Sequence, residues 1–120
     1  MKHILLVEPD QLQAASISQS LVSPTATIHM VTTAQEAIAA ADQQKPDAVI
    51  LELALPSHNG IEFLHEFRSY PEWAGIPVLI FSQQQVDDES VFTTLGNVTI
   101  LYKPTTSLSD LKDRLQSLLA

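Results

Sequence analysis

The chain has 120 residues, 45% of them hydrophobic and 17% charged, a size and composition that suit one folded domain and exclude a disordered segment. The net charge is −8, and the six basic residues (Lys2, Lys45, Arg68, Lys103, Lys112, Arg114) are scattered, so no basic patch is available for direct nucleic-acid binding. The absence of cysteine excludes disulfides, a thiol nucleophile and a cysteine-based zinc site.

The first element is HILLV, His3 to Val7, short and almost continuously apolar, which reads as a strand buried on both faces. Its apolar run is too short for a signal peptide, and no segment approaches the about 18 apolar residues of a membrane span, so a cytoplasmic protein is expected. Asp10 can cap a helix carrying Leu12, Ala14, Ile17 and Leu21, which Ser23-Pro24 breaks. ATIHMV, Ala26 to Val31, interleaves Thr27 and His29 with apolar residues and reads as a strand nearer an edge. Thr33-x-x-Glu36 is a capping-box pattern, and Ala34, Ala37, Ile38 and Ala41 follow it at helical spacing.

Lys45-Pro46-Asp47 marks a turn into AVIL, Ala48 to Leu51, the most apolar strand. After Gly60 an amphipathic helix carries Ile61, Phe63, Leu64 and Phe67 and stops near Tyr70-Pro71, because proline cannot continue it. IPVLIF, Ile76 to Phe81, is the fourth strand. A short helix is expected around Asp87 to Leu95, with Gly96 as its left-handed cap. VTILY, Val98 to Tyr102, is the fifth strand, and the last helix places Leu108, Leu111, Leu115 and Leu118 on one face.

Five βα units with short connections predict an α/β fold spanning residues 1–120. The expected form is a doubly wound five-stranded parallel sheet, flavodoxin-like with strand order 2-1-3-4-5, in a three-layer sandwich. In such folds the functional crevice lies beyond the carboxyl ends of the strands. There the sequence supplies Glu8, Pro9 and Asp10 after the first strand, Glu52 after the third, Ser82 after the fourth, and Lys103-Pro104 after the fifth. The order 2-1-3-4-5 gathers Glu8, Asp10 and Glu52 on one rim, with Ser82 and Lys103 on the other side.

Four stretches, ILLVEPD, PDAVILELALPSHNGIEFL, IPVLIFS and LYKP, in this order and spacing, resemble the receiver domain of two-component response regulators over essentially the full chain. The resemblance implies bacterial phosphorelay signalling and no enzymatic role. In that family an Asp after the third strand accepts a phosphoryl group from a histidine kinase, and acids after the first strand help hold Mg²⁺. A Ser or Thr after the fourth strand binds the phosphoryl oxygen, and a Lys after the fifth pairs with the acceptor. Ser82 and Lys103 match. The phosphoacceptor-equivalent position holds Glu52, the second acid is replaced by Pro9, and the switch position three before Lys103, usually aromatic, is Ile100.

These departures have physical consequences. Glu is one methylene longer than Asp, which moves its oxygens by about 1 Å, a large error for in-line transfer. The same length lets Glu52 reach Lys103 as a permanent ion pair. Pro9 removes a carboxylate and an N–H together, so an octahedral Mg²⁺ site is impaired and no cofactor is expected. A weaker alternative set of metal ligands is Glu8, Asp10 and Glu52. The expected function is therefore that of an atypical receiver acting by phosphorylation-independent protein–protein interaction. Its partners would be signalling proteins, a histidine kinase or an output protein, and it has a possible homodimer face on the fourth helix, fifth strand and fifth helix. The alternative is a phosphorylatable, Mg²⁺-dependent receiver with an unusual acceptor.

Each of these residues also has a plainer reading. Asp10 serves equally as a helix cap, Glu8 as a solvated strand-end acid, Ser82 as the start of a loop, and Lys103 as an ordinary ion pair worth about 0–1 kcal/mol if exposed. Pro56 and Gly60 shape the loop after the third strand. His3, His29, His58 and His65 show no i, i+4 pair of the metal-binding kind, and His58 reads as a residue of the functional-end loop. Trp73 is expected to cover an end of the core. A flavin binder is disfavoured because the loop Glu8-Pro9-Asp10-Gln11 would repel phosphate.

Overall fold

Neighbouring residues on each central strand feed two separate cores, and this alternation organises the molecule. The computed structural model describes residues 1–56 and 59–120; His58 lies outside the described residues. Its strands are β1 (Lys2–Val7), β2 (Ala26–Val31), β3 (Ala48–Leu51), β4 (Val78–Ser82) and β5 (Val98–Tyr102). They form one sheet of order β2-β1-β3-β4-β5 in which every pairing is parallel. Helices α1 (Gln11–Leu21), α2 (Ala34–Gln43), α3 (Gly60–Ser69), α4 (Ser90–Thr93) and α5 (Leu108–Leu119) connect and cover it.

Because side chains alternate across a strand, Leu5, Val7, Val49, Leu51, Val78 and Ile80 face one layer. They pack there with Ala37 and Ala41 of α2, Phe63, Leu64 and Phe67 of α3, and Phe92 of α4. Ile4, Leu6, Ile50, Leu79 and Phe81 face the other, against Ala14, Ile17 and Leu21 of α1 and Leu111 and Leu115 of α5. The expected three layers are thus present, and β1 and β3 read as continuous apolar runs because both of their faces are covered. Trp73 closes one end of the first core, 2% exposed and stacked on Phe67 with ring centroids 5.0 Å apart.

The local signals act as the chemistry requires. Asp10 caps α1, accepting from the N–H groups of Leu12 and Gln13. Thr33 caps α2, while Glu36 reaches past it to the N–H and hydroxyl of Thr32. The edge position of β2 leaves His29 exposed, as its sequence pattern anticipates. β4 starts at Val78 rather than Ile76, since Pro77 has no N–H for a ladder, and it runs on through Ser82.

The fourth helix departs most from expectation. Instead of Asp87 to Leu95, only Ser90–Thr93 is α-helical. Three consecutive acids, Asp87 to Glu89, precede it, the β-branched Val91, Thr93 and Thr94 propagate a helix poorly, and Phe92 is its only buried residue. Arg68 of α3 holds the chain that leaves this turn. Its guanidinium donates to the carbonyls of Leu95 (2.7 Å), Gly96 (3.0 Å) and Asn97 (3.3 Å), and also to that of Trp73 (2.9 Å). Gly96 and Asn97 both adopt positive φ, 63° and 49°.

Candidate functional site

At the carboxyl end of the sheet, four side chains from four strand ends converge. β1 delivers Glu8, β3 delivers Glu52 and β4 ends on Ser82; these three are 2%, 3% and 1% exposed. Lys103 follows β5 with its side chain 11% exposed, so it too is largely withdrawn from water. Two carboxylates this deep are costly unless paired and hydrogen-bonded.

The pairing is complete. Lys103 Nζ lies 2.5 Å from Glu8 Oε1, 2.8 Å from Glu52 Oε1 and 2.8 Å from Gln13 Oε1. Its three N–H bonds therefore have three acceptors. Glu52 Oε1 also accepts from the N–H of Gln83 (3.2 Å), and Glu52 Oε2 accepts from the N–H of Ala54 (3.0 Å) and from the Ser82 hydroxyl. Ser82 Oγ in turn accepts from the N–H of Gln84 (3.0 Å). Glu8 Oε2 accepts from the N–H of Asp10 (3.1 Å). Among the described residues no buried side-chain nitrogen or oxygen lacks a partner.

Electrostatics follow from this wiring. Burial pushes the Glu52 carboxyl up, but donation from Lys103, Ser82, Ala54 and Gln83 outweighs it and holds the group below its ordinary value. Asp10 is also held below its ordinary value, first by the N–H and side chain of Gln13. The Asp10 carboxylate belongs to the helix end: Oδ1 takes the N–H groups of Leu12 and Gln13, and Oδ2 takes Gln13 Nε2. Asp10 thus enters the pocket through its backbone N–H, not through its acid.

The structure brings Glu8, Glu52, Ser82 and Lys103 together and turns the Asp10 carboxylate aside. Ser82 is the last residue of β4, not a loop residue. Ile100 lies on β5 opposite Ile80, half-buried against the first core. Gly60 starts α3 within 2.7 Å (N to O) of the Leu53 carbonyl, and a Cβ there would lie 2.8 Å from Leu53 Cα and 3.0 Å from the Glu52 carbonyl oxygen. Only glycine permits that approach, so the segment carrying Glu52 is seated against the start of α3. Sequence reasoning missed Gln13 and the N–H groups of Ala54 and Gln83. Gln13 carried a signal: with Asp10 as cap it occupies the third helical position, from which Glu or Gln reaches back over the helix start.

This fold and this cluster at the strand ends define a class. Residues 4–116 match the response regulator receiver domain, and the chain belongs to that family. It is a receiver domain of two-component signalling, a class of signalling modules that engage histidine kinases and output domains. The chain is 33% identical over 117 residues to the "Probable transcriptional regulatory protein TcrX" of Mycobacterium tuberculosis, covering 97% of this chain and 49% of that protein. It is 34% identical over 120 residues to the transcriptional regulatory protein CiaR of Streptococcus pneumoniae, covering 99% and 52%. The chain thus spans about half the length of these curated relatives. Among solved structures, the signal receiver domain of a DNA binding response regulator protein (merR) from Colwellia psychrerythraea 34H superposes with a TM-score of 0.87. It is 28% identical, and the match covers 99% of this chain and 98% of that one. No helix among the described residues is long and apolar enough to cross a membrane.

Proposed function

We infer that this receiver domain signals without phosphorylation, as a cytoplasmic protein-docking module whose Glu52 carboxylate supplies the charge that a phosphoryl group supplies in its family. The observation that carries this reading is the saturation of Glu52: its two oxygens accept from Lys103, Gln83, Ser82 and Ala54. A nucleophile needs a free oxygen lone pair in line with the incoming phosphorus. Here the hydroxyl and the ammonium that would receive the phosphoryl oxygens are bound to the acceptor-equivalent residue itself.

The same geometry favours a site without Mg²⁺. Magnesium wants near-octahedral oxygen ligands. Pro9 offers no side-chain oxygen, the Asp10 carboxylate is held by α1, one oxygen each of Glu8 and Glu52 faces Lys103, and their other oxygens accept from Asp10, Ala54 and Ser82. Among the described residues no three His, Cys, Asp or Glu side chains stand where they could share a metal ion. The residues present therefore do not fit the family's cation.

The docking partner would be a histidine kinase or an output protein, met through α4, β5 and α5, where a homodimer could also form. That face is open: all five residues of β5 are only half-buried, and Val91 of α4 is 39% exposed. Treating the protein with acetyl phosphate or beryllofluoride and Mg²⁺, followed by intact mass and amide NMR, tests the reading. No adduct and no shift near Glu52 are expected. A stoichiometric phosphoryl adduct on Glu52 overturns the reading and establishes the phosphorylatable alternative.

A further inference from the structure

On the side of the sheet away from β5, the β2 edge carries free backbone hydrogen-bonding groups that its sequence does nothing to guard. β2 pairs only with β1. The Lys2 N–H donates to the Thr25 carbonyl (2.8 Å) and the Glu8 N–H to that of Val31 (3.0 Å), so Thr25, Thr27, His29 and Val31 turn their backbone groups toward β1. Those of Ala26, Ile28 and Met30 point away from the sheet. Both ends of this row are closed. The N–H and carbonyl of Ala26 exchange bonds with Ser23 (3.3 and 3.5 Å), and just beyond the strand the Thr32 N–H donates to Glu36 Oε1 (3.1 Å). Among the described residues nothing meets the outward N–H and carbonyl of Ile28 or Met30. Edge strands are ordinarily blunted by charge, proline or a bulge. β2 reads ATIHMV, without Lys, Arg, Asp, Glu or proline, and Met30 is 49% exposed.

We propose that the β2 edge is an interface between two copies of this chain, paired antiparallel about a two-fold axis that passes between their His29 residues and joins the two sheets into one. The free groups fix this register. A residue whose N–H and carbonyl both point outward exchanges both bonds with another of its kind, so Ile28 stands opposite Met30 of the second copy and Met30 opposite its Ile28. An axis at Ile28 would need Ala26, whose groups Ser23 holds, and an axis at Met30 would need Thr32, whose N–H Glu36 holds. A parallel two-fold would need the groups of Thr27 and His29, which are spent on β1. A two-fold interface must complement itself, and this row does. Charge selects a second copy as the occupant. Each chain carries −8, yet residues 11–35, which hold α1 and β2, contain no Lys, Arg, Asp or Glu. Two such chains meet there without like charges, whereas an acidic or basic foreign strand finds no complement. Three of the five exposed large hydrophobics, Leu12, Val22 and Met30, lie in the same stretch. On the face that packs with α1, Met30 would lie beside Ile28 of the second copy; on the other, the two His29 rings, each 6.2 Å from its own His3 ring, would meet at the axis. The strands are short, so the association is a weak one.

The chain has no cysteine, so a single introduced thiol reports the register. Opposite residues of a non-hydrogen-bonded antiparallel pair have Cα atoms about 4.5 Å apart, within disulfide reach, whereas the two Thr27 residues would stand about 13 Å apart. Under diamide, His29→Cys should cross-link into a covalent dimer, and Thr27→Cys, at a position also exposed, should not. In a sedimentation series on the natural chain, the mass should rise with concentration toward that of two copies. The amide signals of Ile28 and Met30 should move in step while those of Val91 and Leu101 stay. Met30→Lys, which puts a charge on the edge, should weaken association at least about tenfold, with circular dichroism to check its fold. The proposal is overturned by a monomer at every concentration, by amide shifts confined to Val91 and Leu101, by equal cross-linking of the two thiol variants, or by undiminished association of folded Met30→Lys. None of these readouts involves an adduct on Glu52, so this proposal can fail while the docking reading stands.

Discussion

The strand-end pocket and the α4–β5 edge belong to the same sheet yet are held in opposite ways. In the pocket, Glu8, Glu52, Ser82 and Lys103 are nearly inaccessible, and their polar atoms are engaged by one another, by Gln13 of α1 and by N–H groups of the residues that follow the strands. At the edge, α4 is one turn long, β5 is half-buried along its length, and a lone side chain, Arg68, gathers the carbonyls that leave the turn. Burial pushes the Arg68 guanidinium down from its usual value, which marks a cation withdrawn from water against carbonyl oxygens. The pocket is fixed by many mutual side-chain bonds, whereas the edge relies on the β4–β5 ladder, the Asn97 side chain on the Gly75 carbonyl and Arg68 acting from α3. Segments of low contact density with few buried apolar groups open first, so rearrangement on docking belongs to the edge, while the pocket stays as it is.

Three substitutions sharpen or break this contrast. The largest effect is expected from Lys103→Met, which strands two buried carboxylates. Loss of one partner of a buried pair costs about 3–5 kcal/mol, and urea unfolding in cation-free buffer should show a global loss of that size. A loss below about 1 kcal/mol would mean that the pocket is wetter than its burial implies.

Arg68→Met comes next. It leaves the Leu95 and Gly96 carbonyls without a donor, at about 1–3 kcal/mol, while those of Trp73 and Asn97 keep backbone N–H groups. Amide hydrogen exchange should accelerate through α4 and the following residues to Val98 while the β1 and β3 amides keep their protection. Uniform acceleration across the sheet would erase the distinction between the two regions.

The smallest effect at neutral pH is expected from Glu52→Gln, about 1–2 kcal/mol, since Lys103 keeps Glu8 and Gln13 and the remaining side-chain oxygen still accepts two of the four bonds. Its signature lies in acid. The Glu52 carboxyl is held below its ordinary value of 4.5. Its contribution is therefore present above that value and is lost as pH falls through the lower folded value. The natural chain should lose stability over that acid range, and Glu52→Gln should lose less, as read by thermal melts in a pH series.

How legible these features were in the sequence depended on how local their causes are. β2, β3 and β5 were readable to the residue because runs such as AVIL and VTILY are apolar or β-branched between turn residues. The convergence of Glu8, Glu52, Ser82 and Lys103 was readable because parallel order dictates which strand ends are neighbours. The length of α4 was not, since one buried Phe92 carries no period and its acids and β-branched residues set the limit. Arg68 looked like any cation on an amphipathic helix; its role depends on carbonyls 27 to 29 positions away. The choice of Gln13 rather than Asp10 as the third acceptor of Lys103 was settled by contacts spanning 90 residues, beyond the reach of any local pattern.

Gly60 has a bearing on how such a domain can change over generations. Its bare Cα is where the turn bearing Glu52 leans on the start of α3. Any larger residue at 60 would displace the backbone of 52 and 53 and so alter the reach of whichever acid stands at 52. The identity of the acid can drift between Asp and Glu by exchange of one codon, but only on a chain that keeps its glycine eight places downstream. A randomised library spanning both positions should therefore return carboxylates at 52 and glycine at 60.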